Sequence, residues 1–464
     1  MLPEEEEAKR ERGHGEDVRR PTTSFLPNGV PRGPAEARSP GLAARGTLDG
    51  VRVRFVLLGT LVALAAPAGA QPPLFPDGIA SGDVTHQAAV VWARTAQPTA
   101  VAVEIDTDPQ LRGARRSTPV RATPEAGLAV HVDIGGLRPR QRYYYRAVVP
   151  DGRSEIGSFV TAPAPGSEEP LSLLWGADTM DLFQPFRIFA AMRARGADLF
   201  LYLGDTVYAD LGPRRATTLE EYRRAYSVNR ADASLRAFLA ETATWVTWDD
   251  HEVANNFDRT HPRLAVGRRA FVESWPVRLD PAQPTRLYRS VRWGRTAEIF
   301  ILDTRQYRDR AADPDGPDKT MLGADQKQWL LDGLARSEAA VKVVASTVVL
   351  RYHGRDSWGG YGHERDELLR AIRDRGLGPV LFLAGDVHYA AWIRHAEGTQ
   401  EAVAGPLAAI PARAAHMAGR PGVAWTAAGM FNYGWLRLAG GRARIGWYDE
   451  DNRPLHEVDV PLHR

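Results

Sequence analysis

Four segments of this chain end in side chains that could hold metal ions and cleave a phosphoester. The run Leu199-Phe-Leu-Tyr-Leu-Gly-Asp-Thr-Val-Tyr208 places Asp205 directly after Gly204, with the phenol of Tyr208 three residues on. Trp245-Val-Thr-Trp-Asp-Asp-His-Glu252 carries Asp249, Asp250 and His251, and Val380-Leu-Phe-Leu-Ala-Gly-Asp-Val-His388 carries Asp386 and His388. Upstream, Leu171-Ser-Leu-Leu-Trp-Gly-Ala-Asp178 ends in Asp178. Carboxylates, a phenolate and imidazoles form a hard donor set, suited to trivalent iron, calcium, manganese or magnesium rather than a thiolate-seeking ion. The chain has no cysteine, which excludes thiolate ligands, disulfides and a cysteine nucleophile. A carboxylate such as Asp205 can bridge two cations. Such a pair would bind a phosphate oxygen, acidify a water and offset charge in the transition state. The pattern predicts a metallophosphoesterase.

Within that site His251 is expected to face the substrate, giving a proton to the leaving oxygen or stabilising developing charge. Asn255 and Asn256 offer neutral oxygen ligands or hydrogen bonds. Simpler readings stand beside these. Asp178 could cap a following helix, Tyr208 could be a packed surface aromatic, and Asp249 could be a cap or a support for the ligands. A fifth strand-like run, Ala297-Glu-Ile-Phe-Ile-Leu-Asp-Thr-Arg305, ends in Asp303 and Arg305, expected as a structural ion pair or as support for the ligands. His353 either completes a second metal or sits on a solvent-facing loop, and His363 is expected to be structural.

The elements that must position these residues follow from hydrophobic patterning. Short continuous apolar runs bounded by glycine read as buried strands, and side chains just past their carboxyl ends stand where open α/β sheets bind ligands. From residue 171 to 464 such strands alternate with helical segments, including those at 185–193 and 325–334, which predicts an α/β catalytic domain. Residues 75–162 instead show alternating strands at 88–93, 100–105, 128–134 and 142–149 joined by Gly and Pro turns, predicting a small β-sandwich. Leu137-Arg-Pro-Arg-Gln-Arg-Tyr143 suggests the tight tyrosine corner of a fibronectin-like sandwich. Pro163-Ala-Pro-Gly-Ser167 reads as a linker.

The first seventy residues are a separate matter. Residues 1–50 are rich in Glu, Arg, Pro and Gly and are expected to be a disordered extension, or a mis-called start with Val51 or Val53 as initiator. Residues 51–70 combine a basic flank, a short apolar core and Ala68-Gly-Ala70, the pattern of a cleaved signal peptide. This predicts an exported protein, periplasmic, secreted or at the cell surface, with no stable membrane span after cleavage. Of the 464 residues 44% are hydrophobic and 25% charged, and the net charge is +2. A sizeable core is therefore possible and no nucleic-acid-binding signature is present. Oligomeric state is not legible.

The motifs together resemble the alkaline phosphatase D (PhoD-like) family of the metallophosphatase superfamily. The resemblance rests on Phe75-Pro-Asp-Gly-Ile-Ala-Ser-Gly-Asp83, Val91-Trp-Ala-Arg94, Leu203-Gly-Asp-Thr-Val-Tyr-Ala-Asp210 and Trp248-Asp-Asp-His-Glu-Val-Ala-Asn-Asn256. It continues through Leu302-Asp-Thr-Arg-Gln-Tyr-Arg308, Met321-Leu-Gly-Ala-Asp-Gln-Lys-Gln-Trp-Leu330, Trp358-Gly-Gly-Tyr361 and Gly385-Asp-Val-His388. It implies an α/β metallophosphatase core of two β-sheets flanked by helices, preceded by the fibronectin-like domain. It also implies a phosphoester substrate and a dinuclear or multinuclear centre of Fe(3+) with Ca(2+). Carried over, Asp205 bridges, Tyr208 binds iron, and Asp386 and His388 close the site. Asp178, Asp250 and Asn256 complete the predicted ligands. One departure is notable: Asp178 stands where the family usually has a cysteine, a feature similar to purple acid phosphatases, and this harder ligand admits Mn(2+). The family's twin-arginine export signal is not evident; Arg19-Arg20 lies far from the apolar core. Two other functions fit less well: a phospholipase-D-like phosphodiesterase on lipid or polymer substrates, and an inactive phosphate-binding surface protein.

Overall fold

A computed structural model describes residues 73–212 and 215–461. The predicted extension over 1–50 and signal peptide over 51–70 lie outside these residues. No helix among the described residues is long and apolar enough to cross a membrane.

Two sheets face each other and carry helices on their outer sides. In the first, the strands Leu171–Gly176, Leu199–Leu203, Ala243–Thr247 and Ile79–Gly82 run parallel at the centre of a nine-stranded sheet. The second has seven strands around the parallel set Ala297–Ile301, Val341–Ala345, Val380–Ala384 and Gln400–Val403. Alternation along each run explains the layering. Leu173, Trp175, Leu201 and Leu203 meet Ile299, Ile301, Val343 and Leu383 between the sheets. Leu174, Phe200 and Tyr202 point outward against the helices Arg187–Arg195, Ala233–Glu241 and Leu264–Ser274. Phe300, Val344 and Phe382 do the same beneath Gly323–Arg336 and Gly362–Asp374. Both faces of these strands are buried, which is why their sequences read as unbroken apolar runs.

The amino-terminal segment is all-β, with strands at Ala89–Arg94, Thr99–Asp106, Ala129–Ile134 and Arg142–Val149. The corner is present: the Tyr143 hydroxyl accepts from the Arg138 backbone N–H at 2.9 Å. Residues 163–167 lead from this segment to the strand Leu171–Gly176, and the two parts also share a sheet. The segment's strand Ile79–Gly82 pairs in parallel with Ala243–Thr247 through Gly82 and Thr244, so one layer of the sandwich continues into the catalytic sheet. Its apolar filling likewise includes Ala240 and Ala243 from downstream. Three further strands, Tyr433–Ala439, Arg442–Tyr448 and Pro454–Pro461, close the other edge as antiparallel hairpins.

Candidate metal centre

The loops leaving the carboxyl ends of these parallel strands converge, and the predicted ligands converge with them. Asp178 follows the strand Leu171–Gly176, Asp205 follows Leu199–Leu203, and Asp386 and His388 follow Val380–Ala384. Asp249, Asp250 and His251 stand just beyond Thr247, where the strand Ala243–Thr247 ends. Gly204, at φ +88°, permits the closest approach: a Cβ there would lie 2.5 Å from the Asp249 backbone nitrogen. Asp178, Asp205, Asn256, Asp386 and His388 all have left-handed backbone, with φ between 47° and 70°. Asp, Asn and His tolerate that region better than most residues, yet each such position costs on the order of 1 kcal/mol or more. Strain concentrated on side chains that face one point is the mark of a functional site.

The donor atoms form overlapping clusters. Within each of three sets the ligand atoms lie within 4.8 Å of one another: Asp178, Asp205 and His388; Asp205, Asp250 and His251; Asp249, Asp250 and Asp386. Asp205 belongs to the first two, as a bridging carboxylate would. The Tyr208 hydroxyl lies 2.9 Å from His388 Nε2, and its ring stacks 4.2 Å from that of His251. His388 Nδ1 meets the Ile410 carbonyl at 2.5 Å. A carbonyl only accepts, so Nδ1 carries the proton; the Nε2 lone pair then accepts from the Tyr208 hydroxyl, with Asp178 3.7 Å away. His251 is fixed likewise, its Nδ1 2.6 Å from Asp210 Oδ1.

The cap reading of Asp178 fails on the structure. Both its carboxylate oxygens are buried with no hydrogen-bond partner, as is Asp386 Oδ2; among the described residues the one other carboxylate oxygen left so is Glu397 Oε2, the remaining unpartnered buried atoms being N–H groups and hydroxyls. A cation is the partner such oxygens lack, and the oxygen-rich donor set fits a hard metal ion. Tyr208 is no surface aromatic either, given its contacts with both histidines.

The charges agree with this. Burial, against the opposing pull of His388, pushes Asp178 up to about 6. Burial and the neighbouring carboxylates also raise Asp205 and Asp386. Asp250 goes the other way: burial opposes ionisation, but Arg305 and His251 together hold it below the ordinary carboxylate range. For His251 burial is outweighed by Asp250 and Asp210, and its pKa rises to about 9. Burial raises the Tyr208 phenol well above its usual value, so only a strongly acidic cation nearby would favour the phenolate.

Of the two readings of Asp303 and Arg305, the structure brings Arg305 to the ligands as a support. Arg305 donates its backbone N–H to Asp303 Oδ1 at 3.1 Å but makes no ion pair with it. Its guanidinium, fully buried, grips Asp249 through Nε at 2.5 Å and Nη2 at 2.6 Å, and reaches Asp386 at 3.3 Å. Asp303 instead accepts from the Trp248 indole N–H at 2.9 Å and from the Gln306 side chain. Asp249 is thereby committed, since Thr347 Oγ1 also donates to it at 2.6 Å. His353 does not face solvent alone: it forms a further cluster with Asp356 and Asp386. His363 is exposed on the first turn of the helix Gly362–Asp374. Asn256 donates its backbone N–H to Asp250 Oδ2 at 2.5 Å, and its amide sits between Asp250 and Asp356.

Three residues went unread in the sequence. Asp210 orients His251, and Asp356 was detectable only as an H-x-x-D spacing after His353. Glu252, fully buried, accepts from the backbone N–H groups of Asp205, Thr206 and Asp249 at 3.2, 2.6 and 2.9 Å. One side chain thus ties two ligand-bearing loops together.

Comparison with known proteins gives the same picture. Residues 178–412 match the family model for PhoD-like phosphatase, and residues 62–163 match that for its N-terminal domain. Alkaline phosphatase D of Bacillus subtilis (strain 168) is 31% identical, over 72% of this chain and 67% of that protein. A solved structure of PhoD superposes with a TM-score of 0.76 at 26% identity, covering 84% of this chain and 94% of that one. The purple acid phosphatase PPD1 from yellow lupin seeds shares the fold, with a TM-score of 0.61 at 14% identity over 83% of this chain and 73% of its own. The chain belongs to the PhoD-like phosphatase family, and is a metal-dependent phosphoester hydrolase.

Proposed function

We propose that Asp178, Asp205, Tyr208, Asp250, Asp386 and His388 hold the cations of this hydrolase, with Asp205 shared between two of them and Asn256 completing the set. The observation that carries the assignment is the trio of buried, unpartnered carboxylate oxygens on Asp178 and Asp386 beside the twice-clustered Asp205. When bound, such ions polarise the phosphoryl group and supply a nucleophile from water at neutral pH. The protein's own contribution is then positional. His251, kept protonated on Nδ1 by Asp210, presents its other ring edge as a proton source or charge partner for the departing ester oxygen. Arg305 holds Asp249 and Asp386 in place from beneath. Trivalent iron with calcium suits the phenol of Tyr208 and the carboxylates. Aspartate rather than cysteine at position 178 favours the harder ion and admits manganese. The signal-like segment 51–70 supports export of the mature chain.

Elemental analysis of natively purified protein, alongside hydrolysis of an aryl phosphate, tests this directly. Stoichiometric metal that tracks turnover is expected; full turnover in metal-free protein would refute it. Tyr208→Phe gives a second check. If Tyr208 binds ferric iron, the native protein shows a visible phenolate-to-metal band that this variant loses, and an iron-loaded wild type without the band would reject the ligand.

Metal removal should also depend on pH. A carboxyl whose folded pKa lies above its unfolded value binds protons preferentially in the folded state, so stability falls as pH rises through the folded value. For Asp178, moved from 3.8 to about 6, the whole loss is on the order of 3 kcal/mol, of which roughly 1.4 kcal/mol falls between pH 5 and pH 8, because each pKa unit is about 1.4 kcal/mol. Chelated protein should therefore unfold at distinctly lower temperature at pH 8 than at pH 5, while metal-loaded protein should not. Equal chelator effects at both pH values would contradict the clustered-carboxylate account.

A further inference from the structure

The end of the catalytic sheet opposite the metal centre gathers positive charge. A cavity of about 570 Å³ there is lined by five arginines and only two carboxylates. Among its other lining residues, Thr242 immediately precedes the parallel strand Ala243–Thr247, and Ser172 stands second in Leu171–Gly176. The ligand-bearing loops leave the other ends of these same strands. Four strand steps separate Ser172 from Gly176, so the cavity and the metal centre are about 13 Å or more apart.

Two of the five arginines are committed to the carboxylates. Arg140 Nη1 lies 2.7 Å from Asp198, and Arg193 Nε lies 2.7 Å from Glu241. The other three, Arg142, Arg195 and Arg437, have no carboxylate within ion-pair distance among the described residues. Arg195 is nonetheless held in place. Its guanidinium carbon lies 3.4 Å from the ring centre of Tyr448 and 5.8 Å from that of Trp435, and its Nε donates to the Tyr433 hydroxyl at 2.7 Å. The stacking fixes the plane of the guanidinium, while its two Nη groups make no hydrogen bond to the described residues. Trp435 also donates its indole N–H to Ser172 Oγ at 3.0 Å. A hydroxyl that accepts such a bond keeps its own hydrogen to give. Arg437 stands opposite Ser172 in the sheet and two residues from Trp435, so it projects on the same face as both.

Arginines scattered on a surface are ordinarily solvated and need no partner. Here three uncompensated guanidiniums and a free hydroxyl donor line one concavity, and the guanidinium fork matches the oxygen spacing of phosphate. We propose that this recess is a second anion site, binding a phosphate-class oxyanion among Arg142, Arg195 and Arg437, with Ser172 donating to it. The site is separate from the metal centre, takes no part in hydrolysis and does not rest on the hydrolase reading. Its occupant joins the last turn of the helix Arg187–Arg195 to the strands Tyr433–Ala439 and Arg142–Val149, and so stabilises the folded chain.

Titration calorimetry of the metal-loaded protein with inorganic phosphate tests this, beside inhibition of aryl phosphate hydrolysis by the same anion. Phosphate at the metal centre inhibits competitively and phosphate in the recess does not, so calorimetry should show one binding event more than inhibition does. Arg195→Gln with Arg437→Gln should weaken that extra event at least about tenfold, because each change removes a charge-assisted bond. Arg437→Glu alone, at an exposed position where no packing is at stake, should weaken it as well. Both variants should keep the kcat and the competitive inhibition constant of wild type, and melting temperature and metal content report on their folding. At one ionic strength sulfate should compete for the recess and chloride should not. A single binding event that matches the competitive constant overturns the proposal, as does an extra event that survives both variants. Equal displacement by chloride and sulfate would make the recess a solvated charge patch and overturns it too.

Discussion

Asp205→Asn should lower kcat for an aryl phosphate by at least about 1,000-fold, roughly 4 kcal/mol of barrier, while leaving the fold intact. Asp205 joins two of the ligand clusters and is buried with its Oδ1 accepting the His251 backbone N–H at 3.2 Å. An amide keeps that hydrogen bond but offers one neutral oxygen where a bridge needs two anionic ones. The backbone will not object, since asparagine tolerates the left-handed region Asp205 occupies at φ 47°. A second consequence separates a metal role from a structural one. In metal-free protein Asp205 is a buried carboxylate surrounded by others, its pKa raised by burial and by Asp250 and Asp249. Its ionisation at pH 8 therefore opposes folding. Chelated Asp205→Asn should melt above chelated wild type at pH 8, and metal should stabilise wild type more than the variant. Turnover within tenfold of wild type, or a variant that melts lower in both states, would rule out the bridging role.

How far the site could be read from sequence follows from where its parts lie. Asp178, Asp205, Asp386 and His388 were legible because each ends an apolar run, and a run buried on both faces leaves an unmistakable mark. Tyr143 was legible for a related reason, its corner being local to seven residues. The partner of Arg305 was not. Asp303 is two residues away in the chain and Asp249 is fifty-six, yet the strand end turns the guanidinium toward Asp249 and leaves Asp303 to Trp248. Asp210, Glu252 and Asp356 sit in irregular segments where no periodicity announces a buried carboxylate. The contact between the Ile410 carbonyl and His388 has no signature at all, because every residue owns a carbonyl. The continuity of the amino-terminal layer with the catalytic sheet hangs on Gly82 opposite Thr244, a pairing across more than 160 positions that composition cannot reveal.

Arg305→Met should be the most destabilising single change at the centre. The guanidinium is wholly buried, gives two short bonds to Asp249, and lies 3.3 Å from Asp386 and 3.9 Å from Asp250. Although burial alone would lower its pKa, these carboxylates raise it, so it stays charged. A buried ion pair can be close to neutral for stability as a whole, but removing one partner leaves the other charge uncompensated, at a cost of about 3–5 kcal/mol. Arg305→Lys should recover only part of this, since an ammonium cannot make the parallel pair of bonds that the planar guanidinium makes. The informative variant is Arg305→Met combined with Asp249→Asn, which removes both charges and keeps an acceptor for Thr347. Denaturant unfolding should show the double variant regaining most of the lost stability, a coupling of at least about 2 kcal/mol between the two sites. Its turnover should stay low, because Asp386 and Asp250 would still lack the cation that sets their positions and charge beneath the metals. Additive effects on stability would mean that Asp249 and Arg305 act independently, and full turnover in the double variant would mean that the ligands need no support from below.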